Sequence, residues 1–246
     1  MKRIVFIVVV LTSLLFALPV SADKASRETI NSGGKSRIYY LFVPDNLKPS
    51  APLMIALHGS GRDGTSLIQQ WREVASKEGF ILVAPDANNS QGWSTGVDGP
   101  DFIHDVVEAV KTKYSVNPRK VYLFGHSAGA VFALYMGMLE SEYFAAVAIH
   151  AGAWRDQSEF GFMEEAKRKL PISITVGDKD QFFPLHDVNA TTEALKKAGF
   201  SVDLTVIKGH DHNYYGIASK INPGIWAFLS KQQLDSDPKY QSYSAR

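Results

Sequence analysis

The sequence predicts one α/β domain, a mostly parallel central sheet flanked by helices with little or no lid. Three observations lead there. After about residue 36, short apolar runs rich in β-branched residues alternate with longer amphipathic runs, the pattern of strands joined by covering helices. A chain of 246 residues with 45% apolar side chains is long enough for one large core and too short for two comfortable ones. One of the apolar runs, Val121-Tyr122-Leu123-Phe124, gives way at Gly125 to a string of small residues, as a strand does when it turns sharply into a helix.

The strand-like runs are Arg37 to Val43, Leu53 to Leu57, Ile81 to Ala84, Val121 to Phe124, Ala145 to Ile149, Ile172 to Val176 and Val202 to Ile207. The first alternates its side chains and meets the second through a short Pro-containing turn, so the two are expected to form an antiparallel hairpin at the sheet edge. From Leu53 onward the runs look buried on both faces, as parallel strands are. Helices are expected over Thr65 to Lys77, Phe102 to Tyr114, Ala128 to Leu139, Val188 to Ala198 and Tyr214 to Leu229. In the second of these, Ile103, Val106, Val107 and Val110 recur at helical spacing and mark a face against the sheet. The stretch from Ala87 to Asp101 is a long loop beyond a strand's carboxyl end, where sites are usually lined. Trp154 to Leu170 suffices for a small cap but not for a lid domain.

At the N-terminus, Lys2 and Arg3 precede an apolar stretch from Ile4 to Leu18 and the small-residue site Val20-Ser21-Ala22. This reads as a signal peptide over residues 1–22, cleaved before Asp23; Pro19 and the Ala22 site favour removal over retention as an anchor. A catalytic domain over 23–234 and a flexible polar tail over 235–246 are expected to follow. With no cysteine for disulfides or lipid attachment, a soluble periplasmic or secreted bacterial protein fits, with no membrane contact after cleavage. The formal net charge of +1, without a basic block, excludes an electrostatic footprint for nucleic acid. A neutral or weakly charged small molecule is the expected partner, and nothing in the sequence specifies an oligomer.

Gly125-His126-Ser127-Ala128-Gly129 fills the pattern G-x-S-x-G at the strand-to-helix turn, which makes Ser127 the candidate nucleophile. A serine hydroxyl needs a base to take its proton and a third group to orient that base. Where a serine stands on such a strand-to-helix turn, the known chain order puts the acid and then the histidine after later strands. After Ile172 to Val176 comes Gly177-Asp178-Lys179-Asp180-Gln181-Phe182-Phe183-Pro184, and after Val202 to Ile207 comes Gly209-His210-Asp211-His212-Asn213. Asp180, set further into its loop with Pro184 fixing the turn beyond it, is the preferred acid, with Asp178 the alternative. His212, on the turn into the last helix, is preferred over His210.

A tetrahedral intermediate needs backbone N–H donors. Ala128, at a helix N-terminus, supplies one. The second is expected from Ser60, with Gly61 as alternative, in the loop Leu57-His58-Gly59-Ser60-Gly61. His58, His104, His150 and His186 read as structural. Trp93 and Trp154 lie in loops at the same sheet edge, where they form either an apolar or sugar-stacking substrate wall or simple loop anchors. A metal site at His210, Asp211 and His212 lacks a further ligand cluster, so no metal is expected.

These segments carry a family resemblance over about Ile38 to Leu229. "LHGSGRDG", "GFILVAPD", "GW", "DFIHDVVEAVKTKYSVNPRKVYLFGHSAGA" and "FAAVAIHAGA" resemble α/β-hydrolase esterases of the polyhydroxybutyrate-depolymerase and feruloyl-esterase-like group. "GDKDQFF" and "GHDHNYY" are similar to the acid and histidine segments of the esterase D and S-formylglutathione hydrolase group, which puts the acid at Asp180 and the base at His212. The resemblance implies a serine carboxylic-ester hydrolase without a cofactor, working through an acyl-enzyme on small-molecule or polysaccharide-linked esters; the expected substrates are acetylated or feruloylated sugars first, then short aliphatic esters, then a hydroxyalkanoate oligomer. The cysteines and the Trp-Pro segment common in secreted depolymerase-like members are missing, which argues against a polyester substrate. A serine peptidase of the same fold and a non-catalytic binding module are the rival readings.

Overall fold

The computed structural model describes residues 25–243; the expected signal segment, 1–22, lies outside the described residues. Eight strands form one sheet: β1 (Ser26–Ser32), β2 (Lys35–Phe42), β3 (Ala51–Leu57), β4 (Ile81–Pro85), β5 (Val116–His126), β6 (Ala146–His150), β7 (Ile172–Gly177) and β8 (Val202–Ile207). Six helices cover or border it: α1 (Gly64–Glu78), α2 (Pro100–Lys111), α3 (Ala128–Leu139), α4 (Gln157–Gly161), α5 (Leu185–Lys197) and α6 (Ala218–Leu229). The strand order is β1-β2-β4-β3-β5-β6-β7-β8, parallel from β4 to β8.

The edge departs from the sequence expectation. β2 does not form a hairpin with β3. It pairs antiparallel with β1 on one side and with β4 on the other. The chain leaves β3, crosses through α1 and returns as β4 into the slot between β2 and β3, so residues 43–50 bridge across that slot instead of closing a hairpin. β1 carries no strand signal in the sequence because its residues, SRETINS, include a single large apolar side chain, Ile30. It is held as an edge strand through the two-residue Gly33-Gly34 turn, both glycines having positive φ.

Continuous apolar strands follow from helices on both faces. Leu53, Ile55 and Leu57 of β3 point into a core with α2, α3 and α5, while Met54 and Ala56 point into one with α1 and α6. The same division runs through β5, where Val121 and Leu123 face one core and Tyr122 and Phe124 the other. The expected helices all form, with ends shifted by a few residues. α1 starts where the Asp63 side chain accepts the Ser66 amide and stops at Gly79, whose left-handed backbone lets its N–H reach the Ala75 carbonyl. The last helix begins at Ala218, after a separate 3-10 turn over Tyr214–Gly216. The Trp154 to Leu170 segment holds only α4 and one further 3-10 turn.

Beyond α6, the described segment 230–243 has no regular structure. Within it, the Leu234 amide donates to the Arg119 carbonyl and the Lys239 amide to the Glu142 carbonyl. Tyr240 stacks on His104 with centroids 3.7 Å apart and its hydroxyl donates to Asp101. The carboxyl ends of β3, β5, β7 and β8 bring residues 58–63, 125–129, 178–184 and 208–213 together at one edge of the sheet, the position at which open α/β sheets bind their ligands.

Candidate active site

Ser127 sits between the last residue of β5 and the first of α3, with φ 57° and ψ −121°. A non-glycine residue in that conformation costs about 1–3 kcal/mol and persists only where its surroundings enforce it. The enforcement is visible. The Ser127 amide donates to the His150 carbonyl at 3.1 Å, and its own carbonyl accepts from Ala130 at 2.9 Å. A Cβ on Gly125 would lie 2.1 Å from the Gly129 carbonyl oxygen, and one on Gly129 would lie 2.1 Å from the Leu57 carbonyl oxygen. Both outer positions of G-x-S-x-G are therefore glycine because backbone passes where a side chain would begin.

Three loops bring Ser127, His212 and Asp180 into one chain of hydrogen bonds. His212 Nδ1 lies 2.8 Å from Asp180 Oδ2, and His212 Nε2 lies 2.9 Å from Ser127 Oγ. The ionised carboxylate only accepts, so Nδ1 carries the proton and Nε2 accepts from the serine hydroxyl. Asp180 has no side-chain exposure, and its Oδ1 accepts the amides of Phe182 and Phe183 at 2.9 Å each. The alternatives are occupied elsewhere. Asp178 is exposed and its Oδ1 accepts the Gly209 amide at 2.6 Å, tying the β7 loop to the β8 loop. His210 turns inward, its ring 5.6 Å from that of His150 and its Nε2 buried.

The cleft over Ser127 has a volume of about 350 Å³. Gly59, Ser60, His126 and His212 border its reactive end, and Phe182 and Tyr215 supply its aromatic surface. Phe182 is 65% exposed, its ring 4.8 Å from that of His212. Among the described residues, no protein group accepts from the Ser60 or Ala128 amide. No group of three or more acidic, histidine or cysteine side chains among those residues is placed to hold a metal ion.

The two tryptophans are not among the residues lining the cleft, and of the two roles the sequence left open their contacts are those of loop anchors. Trp93 donates from Nε1 to the His58 carbonyl at 2.8 Å and stacks on Phe132 with centroids 5.0 Å apart, which makes it an anchor for the 87–99 loop. Trp154 is buried against Tyr135 and Phe160. His58 is structural as expected: its Nδ1 donates to the Gly59 carbonyl and its Nε2 accepts the Ala87 amide, while burial lowers its pKa. His126 and His150 form a buried pair beneath His212, pushed down to pKa values of about 3 and about 2, first of all by desolvation.

Sequence reasoning missed what holds the 87–99 loop. Arg37 of β2 is buried and paired with Asp98 at 2.6 Å, and it also donates to the carbonyls of Val97 and Asp86. Asp98 in turn accepts the Asn88 and Ser94 amides. An isolated Arg and an Asp 61 positions apart carry no local pattern; only the solvation cost of each charge hints that a partner exists.

On this geometry, the comparisons with known proteins place the chain. A family model described as "Putative esterase" matches residues 37–227. The chain is 30% identical over 155 residues to a bifunctional acetylxylan esterase/xylanase of Neocallimastix patriciarum, covering 60% of this chain and 22% of that protein. It is 26% identical to poly(3-hydroxyalkanoate) depolymerase C of Paucimonas lemoignei, covering 84% and 62%. The chain thus spans less than two thirds of the length of these curated relatives. Among solved structures, a fluorophosphonate-binding serine hydrolase of Staphylococcus aureus superposes with a TM-score of 0.71 at 14% identity, covering 84% of this chain and 98% of that one. A ferulic acid esterase of Anaeromyces mucronatus superposes with a TM-score of 0.69 at 20% identity, covering 82% and 89%. Fold, elbow and family match agree: the chain has the α/β-hydrolase fold and belongs to the esterase family.

Proposed function

We propose that this protein is a serine carboxylic-ester hydrolase whose catalytic residues are Ser127, His212 and Asp180. The observation that carries the reading is the unbroken relay from Ser127 Oγ through His212 to a carboxylate with no solvent exposure. Ser127 Oγ attacks the ester carbonyl as its proton passes to His212 Nε2, and the carbonyl oxygen becomes an oxyanion. The Ser60 and Ala128 amides, which have no protein acceptor among the described residues, donate to that oxyanion. His212 then gives its proton to the departing alcohol, leaving an acyl-serine. Water, deprotonated by the same imidazole, attacks the acyl carbon; the acid leaves and Ser127 regains its proton. Asp180 holds the ring in the required tautomer and stabilises the imidazolium formed in both halves.

Acylated sugars, with feruloyl and short-chain esters after them, are the favoured substrates. The sequence relatives include proteins named acetylxylan esterase and feruloyl esterase, and a cleft of about 350 Å³ suits a small acyl group. Residues 23–234 form the catalytic domain in this reading, and the Lys2-Arg3 segment with the following apolar run exports it to the periplasm or beyond.

The test is hydrolysis of p-nitrophenyl esters from acetate to octanoate, a feruloyl ester and acetylated xylan, by the chain from Asp23 and by its Ser127→Ala variant. Ester hydrolysis by the wild type that falls at least about 10⁴-fold in the variant supports the reading. Hydrolysis that survives the substitution overturns the role of Ser127, and cleavage of peptide amides in place of esters overturns the substrate class.

A further inference from the structure

His126 fills the variable position before the nucleophile, and the mechanism above does not use it. It is 4% exposed and packed on three sides by rings: Tyr214 at 5.1 Å, Tyr215 at 5.6 Å and His212 at 5.0 Å between centroids. A histidine so enclosed needs a reason to stay polar. One ring nitrogen has an internal partner: His126 Nδ1 lies 3.2 Å from His150 Nδ1 and 3.4 Å from the His150 carbonyl oxygen. A carbonyl only accepts, so the proton sits on His126 Nδ1. Burial keeps the ring neutral well below pH 6, with its pKa at about 3. The remaining nitrogen, Nε2, is then a lone-pair acceptor.

That acceptor meets no protein donor among the described residues. Within this cluster the unpartnered Nε2 atoms of His150 and His210 are sealed from solvent, and His126 Nε2 is not among the sealed atoms. The ring edge that bears it faces the oxyanion loop, since a Cβ on Gly59 would come within 3.3 Å of His126 Cδ2. Gly59, Ser60, His126, Ser127 and His212 border the same cleft. The other groups at this end are committed to the reaction itself: the Ser60 and Ala128 amides as donors, His212 Nε2 as the serine's base. His126 thus places one buried, directional acceptor beside the reacting ester with no step of the chemistry to serve.

We propose that His126 is a specificity-determining residue whose Nε2 accepts a hydrogen bond from a hydroxyl group borne next to the ester, so that esters of polyols or of hydroxy acids are preferred to esters lacking that donor. The inference rests on the ester-hydrolase reading. It recognises the donor wherever the substrate carries it, on the alcohol or on the acyl side.

The test uses two series of small esters followed by acid release. The alcohol arm is 2-hydroxyethyl acetate, 2-methoxyethyl acetate and propyl acetate; the acyl arm is ethyl lactate, ethyl 2-methoxypropanoate and ethyl butanoate. Each kcat/KM is divided by the ester's rate constant with hydroxide, which removes intrinsic reactivity. In one arm the wild type should favour the hydroxy ester over its methoxy analogue by about tenfold, the scale of one hydrogen bond that is otherwise unmade. The arm that discriminates identifies the side carrying the donor. In His126→Phe the ratio should collapse towards one, and in His126→Gln, whose side-chain oxygen still accepts, it should recover in part. Because the methoxy comparison is made on the wild type, it stands even if a variant fails to fold. Equal normalised rates in both arms, or a ratio that survives His126→Phe, overturn the inference alone. No hydrolysis of any ester overturns the ester-hydrolase reading and this inference with it.

Discussion

Asp180 divides its carboxylate: Oδ2 lies 2.8 Å from His212 Nδ1, while Oδ1 accepts the Phe182 and Phe183 amides. The loop that carries Asp180 therefore also fixes which oxygen faces the imidazole. The two backbone donors occupy the oxygen turned away from the ring, in a side chain from which water is excluded. The orientation of the carboxylate is set by these three hydrogen bonds.

Asp180→Asn exploits that division. The amide oxygen would take over the Phe182 and Phe183 N–H groups, which points the new NH₂ at His212 Nδ1. An NH₂ can only donate, so the imidazole proton moves to Nε2 and the ring can no longer accept from Ser127. Steady-state kinetics should show kcat reduced on the order of 10⁴-fold with melting temperature nearly preserved. Asp178→Ala is the control: it removes an exposed acceptor of the Gly209 amide, should cost about 1 kcal/mol of stability, and should leave kcat within a few-fold. The reverse pattern would make Asp178 the acid.

Gly129→Ala should be far more damaging than its single methyl group suggests. The added carbon would lie 2.1 Å from the Leu57 carbonyl oxygen and 2.6 Å from that of His58. Relief requires moving α3 off β3, and β3 also leads into the loop proposed to hold the oxyanion. A loss of about 3 kcal/mol or more is expected by urea denaturation, or no soluble protein at all. Gly92→Ala, where a Cβ meets nothing within 4 Å, should be tolerated.

The residues proposed as nucleophile, acid and base were legible in the sequence because each candidate depends on local chemistry. Gly125 and Gly129 announce the elbow, and Asp180 and His212 stand at fixed places after apolar runs. The central strands were legible for a related reason: burial on both faces writes an unbroken apolar run. β1 was not, because an edge strand with an exposed face needs few apolar residues. The position of β4 between β2 and β3 was not, because pairing order is settled by the crossover through α1 and not by either strand's composition. The role of the tryptophans stayed open in the sequence for a third reason. A ring at the sheet edge that carries the site can pack down on Phe132 or Tyr135 as readily as turn towards a ligand, and sequence does not record which way it points.

The Arg37–Asp98 pair should be a structural keystone of the 87–99 loop. Asp98→Ala leaves Arg37 buried without its counter-ion and frees the Asn88 and Ser94 amides at once. Removing one partner of a buried pair typically costs about 3–5 kcal/mol. The loss should appear in the urea midpoint, and hydrogen exchange across residues 87–99 should accelerate first. A neutral substitution here would mean that the loop is held by Trp93 alone.

Stability should fall as pH drops from 7. Burial depresses His126 to about 3 and His150 to about 2, so between roughly pH 6.5 and 3 the unfolded chain binds two protons that the folded chain refuses. Their contribution is complete above pH 6.5 and is lost at roughly 1.4 kcal/mol per pH unit for each proton. His58 and His104, also lowered by desolvation, act in the same direction. Glu140 opposes them. Burial raises its carboxyl to about 7, so its contribution is complete below the unfolded carboxyl range and is lost as pH rises through 7. From pH 7 to about 4.5 the glutamate offsets one histidine; below that it offsets none, and the decline should steepen. Urea midpoints at pH 7, 6, 5 and 4 check the curve, and Glu140→Gln should make the fall between pH 7 and 5 steeper than in the wild type. Wild-type stability that rises from pH 7 to 5 would show that the His126–His150 pair takes up protons in the folded state.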